Sequence, residues 1–201
     1  MPNWDEDSPK LRENLGRVLK EIARSAEHRE TPTLDAAKRW QKLLMEDLDM
    51  GTPRFACAFR GEQGLKDVQV RVGANYGVNA ARVAKELTRF EQKLQTIVVQ
   101  MDVLLPNRQE PDADQVAAVV DLCAWAHAEW VRIHPFANGN GRTARLWANS
   151  LAMRYGLPPY IRLRPRPDNG YAAAGAKAMQ GDWKPTAVVF RRLLSDFLDE
   201  F

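Results

Sequence analysis

From His134 to Arg145 the chain reads His-Pro-Phe-Ala-Asn-Gly-Asn-Gly-Arg-Thr-Ala-Arg. Pro135, Gly139 and Gly141 break the helical pattern up to Gly141, so this segment reads as a loop feeding a helix that starts at Arg142. Such a loop presents successive backbone N–H groups to an anion, and the helix N-terminus adds about half a unit of positive charge. Gly139 and Gly141 allow backbone conformations and close approach that other residues forbid. Arg142 and Arg145 are three apart on the new helix, share a face, and can each form paired hydrogen bonds to phosphate oxygens. Cations at a helix N-terminus oppose the macrodipole, so a bound polyanion explains them better than local stability does. His134 is the one side chain of this string able to accept a proton near neutral pH. Base, anion nest and arginine pair together point to phosphoryl or nucleotidyl transfer onto a hydroxyl. The chain has no GxxxxGK[ST], no HExxH and no paired CxxC, which supports neither a P-loop nor a protein-built zinc site.

The string HPFANGNGRTAR resembles the Fic-domain signature HxFx[D/E]GNGRxxR, through His134, Phe136, Gly139, Asn140, Gly141, Arg142 and Arg145. The likeness extends over roughly residues 32 to 198. It implies an all-α, Fic-like helical bundle with a small β-hairpin flap, and a protein adenylyltransferase that moves AMP from ATP to a Ser, Thr or Tyr hydroxyl of a target protein. By position, the resemblance makes His134 the general base and Phe136 the loop anchor. Gly139, Asn140 and Gly141 become the anion hole, Arg142 the holder of the inner phosphates and Arg145 of the terminal one. Tyr171 becomes the aromatic residue near the nucleotide base. At the family's Asp or Glu position stands Asn138, an uncharged candidate ligand for Mg2+ with weaker affinity for a hard cation. The flap, residues 64–73, is expected to dock an extended target segment. Two sources of restraint are open: Glu13, followed by Asn14, resembles the end of the family's inhibitory [S/T]xxxE[G/N] pattern but lacks its Ser or Thr, and a separate antitoxin could supply the glutamate instead. Doc-like phosphotransfer or another nucleotidyl transfer is the runner-up. A non-catalytic nucleotide-binding interaction protein is the alternative outside the enzymes.

The elements that must position these residues read as mostly helical. Ser8 caps a helix over Pro9 to about Glu27, with Leu11, Leu15, Val18, Leu19 and Ile22 at helical spacing. A second helix is expected from Pro32 to about Leu48, capped by Thr31. Residues 51 to 78 are glycine-rich, and Val68, Val70 and Val72 alternate, predicting a hairpin with its turn near Gly61 to Lys66. Further helices are expected over 79–101, 112–132, 142–155, 171–180 and 185–198. The 112–132 helix is apolar on most sides and therefore central. His127, on that helix, reads as a satisfied core histidine, and His28 as a solvated one. The tryptophans read as core rather than base-stacking residues.

The 201 residues, 45% hydrophobic and 27% charged, suit one domain over 1–201: an N-terminal helix within 1–30, inhibitory or structural, and a core over 31–201. Collagen-like, disulfide-rich and disordered classes are excluded. No signal peptide or membrane span is visible, and Cys57 and Cys123 read as buried free thiols, so a cytoplasmic protein is expected. Net charge is +3, yet Val131 to Pro167 holds seven arginines and no acid, leaving −4 for the rest. A local cationic zone on a near-neutral chain favours a defined anionic ligand over a nucleic-acid surface.

Overall fold

The computed structural model describes residues 8–49, 52, 55–107 and 109–200. Trp4 and the acidic start of the chain lie outside them. The elements are α1 (Pro9–Glu27), α2 (Leu34–Met45), β1 (Arg71–Val72), β2 (Asn75–Tyr76), α3 (Ala80–Leu104), α4 (Ala113–Ile133), α5 (Asn140–Arg154), α6 (Tyr171–Met179) and α7 (Lys184–Asp199). An all-α bundle with one small hairpin is therefore what the chain forms.

Helix α4 is the axis. Asp112 and Gln115 form a capping box at its start: the Gln115 N–H donates to Asp112 Oδ1 at 2.8 Å and the Asp112 N–H to Gln115 Oε1 at 2.9 Å. Its residues Val119, Val120, Cys123, Ala126, Trp130 and Ile133 are buried, and it packs against α3, α5, α6 and α7. Helix α5 is buried nearly all round and is held from the other side by α1 and α2. Trp40, Phe90, Trp130 and Trp147 meet edge to face or tilted at this junction. The α4–α5 pair is thus clamped on both sides, and the loop between them carries the candidate site.

Several boundaries differ from the sequence reading. Helix α2 starts at Leu34 rather than Pro32, because Thr33, not Thr31, takes the extended cap position and accepts from the Ala36 N–H. Helix α5 starts two residues earlier than expected, at Asn140. The hairpin also moves. Residues 61–65 close a separate turn, in which the Gly61 N–H donates to the Leu65 carbonyl. The paired strands hold two residues each, Arg71 opposite Tyr76 and Val72 opposite Asn75, with the turn at Gly73 and Ala74. Of the expected flap 64–73, only Arg71 and Val72 are in the ladder. Val68 stays outside the strand because its carbonyl accepts from Arg60 Nη1, whereas the Val70 carbonyl accepts from the Gly77 N–H in a bond that brackets the Arg71–Tyr76 pair.

Candidate active site

His134 follows the last residue of α4 in the left-handed conformation, φ 54° and ψ 55°. The following Pro135 disfavours a helical residue at this position, and histidine tolerates the left-handed region better than most side chains. The His134 N–H still donates to the Trp130 carbonyl at 2.9 Å, so the helix ends in a cap. The ring Nδ1 lies 3.0 Å from the Val131 carbonyl. A carbonyl only accepts, so Nδ1 carries the proton and Nε2 is left with the lone pair. Burial holds the imidazole below its ordinary range, the Arg60 charge adds to this, and the Val131 carbonyl opposes both. His134 is therefore neutral at pH 7, in the state a general base needs.

Phe136 is fully buried against Phe59, with ring centroids 4.8 Å apart, and against Trp130. It anchors the loop in the core, as expected from sequence. Asn140 has a part of its own, played by its side chain. Its Nδ2 donates to the Phe136 carbonyl and its Oδ1 accepts from the Phe136 N–H, both at 2.8 Å. The side chain latches the loop, and only its backbone faces the role of anion donor. Gly139, at φ 85°, caps α5 without a side-chain hydrogen bond. The first-turn amides of α5 therefore have no side-chain cap, an arrangement suited to an anion. A Cβ on Gly139 would stand 2.7 Å from Met45 Cε on α2.

Arg142 and Arg145 are both buried on the first turns of α5. Arg145 Nη2 donates to the Leu163 carbonyl at 3.1 Å and Nη1 to Tyr171 Oη at 3.3 Å. Tyr171 Oη in turn lies 2.7 Å from His127 Nε2. Since the Tyr171 oxygen accepts from Arg145, its proton goes to His127, whose ring is neutral. Burial and the Arg145 charge push that histidine down to about 3. Tyr171, assigned by resemblance to the nucleotide base, here has its hydroxyl committed to this relay. His127 is a core histidine as read, with a role at the site that its apolar helix position hid.

Asn138 Oδ1 accepts from the Gly139 N–H at 2.6 Å. No Asp or Glu stands between Val131 and Pro167, and no cluster of three His, Cys, Asp or Glu converges among the described residues. Magnesium usually binds through one or two carboxylates plus substrate phosphates. One amide oxygen, already engaged by its own loop, does not make such a site, so the residues present do not fit a protein-held Mg2+. Glu13 is solvent-facing and pairs with Lys10, while its neighbour Asn14 points inward to the Leu44 and Glu46 carbonyls. The structure does not bring Glu13 to Arg145.

The cationic zone is narrower than its sequence suggests. Arg132 is neutralised by Glu86 and Glu129, and Arg154 by Asp102, each at 2.6 Å. Arg142 and Arg145 are buried on α5, and Arg162, Arg164 and Arg166 sit on the segment after it. Cys123 is buried and its thiol pushed up by desolvation, whereas Cys57 is only half-buried. The residue that sequence reading missed is Arg60. It is 1% exposed and donates to four backbone carbonyls around His134. An arginine between Phe59 and Gly61, in a stretch read as hairpin, carries no pattern that separates it from a surface cation.

An α-helical bundle with a glycine loop opening its central helix, a histidine closing the helix before it and a hairpin alongside defines a Fic-like fold. The chain belongs to the Fic/DOC family, whose sequence profile matches residues 31–152. The "Protein adenylyltransferase Fic" of Drosophila yakuba is 43% identical over 77 residues, which are 38% of this chain and 14% of that protein. The chain thus spans a small part of the curated relatives it matches. Among solved structures, Fic-1 of C. elegans (aa134 - 508) aligns with TM-score 0.58 at 21% identity, over 94% of this chain and 51% of that one. The BepC protein of Bartonella tribocorum, a VirB-translocated effector solved with bound AMPPNP, aligns with TM-score 0.57 at 19% identity, over 94% and 88%. At these identities the structural likeness establishes the fold. Among the described residues, no helix is long and apolar enough to cross a membrane.

Proposed function

We propose that this chain is a protein adenylyltransferase that uses ATP as AMP donor. The observation that carries the reading is the tautomer of His134: Nδ1 is tied to the Val131 carbonyl, leaving Nε2 as a neutral acceptor beside an uncapped helix start. Nε2 takes the proton of a target Ser, Thr or Tyr hydroxyl. The hydroxyl oxygen bonds to the α-phosphorus, the bond from that phosphorus to the bridging oxygen breaks, and pyrophosphate leaves. The amides of Asn140 and Gly141, joined by that of Gly139 once Asn138 Oδ1 releases it, receive the transferred phosphate, Arg142 the inner phosphates and Arg145 the terminal one. Relatives named protein adenylyltransferase and the AMPPNP-bound relative support a nucleotide donor. Magnesium accompanies the nucleotide with little help from Asn138.

The target docks as an added strand beside the hairpin, whose Val72 and Tyr76 are exposed. The cytoplasm is the setting, and any restraining glutamate comes from a separate antitoxin rather than from Glu13. The direct test is incubation with α-labelled and γ-labelled ATP in separate reactions, with lysate, for wild type and His134→Ala. Label from the α position alone, lost in His134→Ala, is expected. Label from γ alone would favour a Doc-like phosphotransferase, and none from either would leave a nucleotide-binding interaction protein.

A further inference from the structure

Arg60 is a buried cation with no carboxylate partner among the described residues. Its Nε donates to the His134 carbonyl at 2.7 Å, Nη1 to Val68 at 3.1 Å, and Nη2 to Val78 at 2.7 Å and Ile133 at 3.0 Å. Four of its five N–H donors are thereby used, all on backbone carbonyls. Burying a charge without a counter-ion is costly unless dipoles replace the lost water. Ile133 and His134 supply the terminal carbonyls of α4, the negative end of its macrodipole, which offsets that cost. Desolvation nevertheless brings Arg60 down to about 10.

The same junction is bonded by backbone alone. The Arg60 N–H donates to the Pro135 carbonyl at 2.7 Å and the Val78 N–H to Ile133 at 3.2 Å. The Gly77 N–H donates to the Val70 carbonyl at 3.0 Å, connecting the stem of the hairpin to its base. At Gly77 a Cβ would stand 2.7 Å from His134 Cβ and 3.0 Å from Arg60 Nη2, so only glycine lets the chains approach this closely. On the other side, buried Gln41 holds the Phe55–Cys57 backbone through bonds of 3.1 Å and 2.6 Å, which steadies the segment bearing Arg60.

We infer that Arg60 is a positioning residue: its guanidinium fastens the stem of the hairpin, at Val68 and Val78, to the backbone that presents His134, so that the base and the edge offered to a target move as one unit. This rests on the adenylyltransferase reading for its consequence in catalysis, but not for its geometry. Base and acceptor must be registered within a fraction of an ångström, since a misplacement of about 1 Å can cost roughly a hundredfold in rate. A hairpin of two-residue strands cannot supply that register by itself.

The test compares Arg60→Met, Arg60→Lys and Gly77→Ala with wild type. Among the described residues, Arg60 is the one charged side chain whose field lowers the pKa of the His134 ring. Glu62, the nearest acid in the Arg60 segment, is occupied by Lys38, and Arg132 on α4 by Glu86 and Glu129. Titration of the His134 ring by NMR, without nucleotide or target, is therefore expected to move upward in Arg60→Met and stay near wild type in Arg60→Lys. Amide exchange over residues 68–78 is expected to quicken in Arg60→Met and Gly77→Ala. With α-labelled ATP and a modified target, kcat is expected to fall roughly tenfold or more and the target KM to rise, while nucleotide affinity holds. A folded Arg60→Met protein with wild-type His134 titration and wild-type exchange would overturn the inference. If wild type transfers no label, the adenylyltransferase reading fails, and titration and exchange still decide the role of Arg60.

Discussion

At the scale of single residues, protonation states organise the site. His134 and His127 are both held neutral by burial, but they face different partners: His134 leaves Nε2 open, while His127 Nε2 receives the Tyr171 hydroxyl. The buried His127 has a stability consequence with a definite sign. Its folded pKa of about 3 lies below the ordinary 6.5, so the unfolded chain binds the extra proton first. The contribution is complete above pH 6.5 and is lost as pH falls from there toward 3. While the unfolded form is protonated and the folded form is not, the slope is about 1.4 kcal/mol per pH unit. Denaturant titrations between pH 6.5 and 5 should approach this slope at the acid end, and His127→Gln, which keeps an acceptor for Tyr171 but cannot charge, should reduce it to the share of the similarly depressed His134. A second expectation concerns Asn138. Restoring a carboxylate with Asn138→Asp should lower, several-fold, the Mg2+ concentration that gives half-maximal label transfer. An unchanged Mg2+ dependence would mean that position 138 does not approach the ion.

At the scale of elements, the site exists because two helices end and begin under tight control. Helix α4 closes on a left-handed histidine, and helix α5 opens on a left-handed glycine, five residues apart in a loop latched by Asn140 and anchored by Phe136. Gly139→Ala should cost about 1 to 2 kcal/mol from the positive φ alone, read as a drop of a few degrees in Tm, with label transfer falling further. Met45 Cε is a flexible end that can yield to the new methyl. These elements differ in how far their sequence revealed them. Ser8 with Pro9 is a local capping signal, and the start of α1 was legible to the residue; the 112–132 reading misses the start of α4 by one residue, because Asp112 is its cap rather than its first helical residue. Thr31-Pro32-Thr33 offers two caps, and the choice between them falls to the tertiary bond from the Leu34 N–H to Glu91. The alternation of Val68, Val70 and Val72 reads as a strand. Val70 does bond across the hairpin to Gly77, but the Val68 carbonyl goes instead to Arg60, a partner that no local pattern reveals. The motif loop was legible because its chemistry is contiguous in sequence. The relay from Arg145 through Tyr171 to His127 and the fan of Arg60 were not, because each joins residues remote along the chain.

At the scale of the whole molecule, α1 belongs to the core although the family profile begins at residue 31. Leu11, Leu15, Val18 and Ile22 are buried against α2 and α5, in the same cluster as Trp40, Trp130 and Trp147. At about 1.5 to 3 kcal/mol per buried side chain, these four contribute roughly as much as the net stability of a domain. A chain starting at residue 31 should therefore lose its cooperative thermal transition, and a clean transition near the full-length Tm would show α1 to be dispensable. This is a structural role, and Glu13→Gly should accordingly leave label transfer unchanged. Arg162 and Arg164 line a groove together with Arg12 and Leu15 of α1 and with Leu163, whose carbonyl accepts from Arg145. On the proposed function the parts are coherent: α1 and α2 support α5, whose start would cradle the phosphates, α4 ends on the histidine that would act as base, and Arg60 bonds the backbone of that histidine to the stem of the hairpin.

The most direct measurement is a crystal structure of the chain with a non-hydrolysable ATP analogue. The phosphate tail should run along Gly139, Asn140, Gly141 and Arg142, with the α-phosphate nearest His134 Nε2 and room between them for a hydroxyl. A tail bound elsewhere, or one presenting its γ-phosphate to that nitrogen, would contradict AMP transfer by this site.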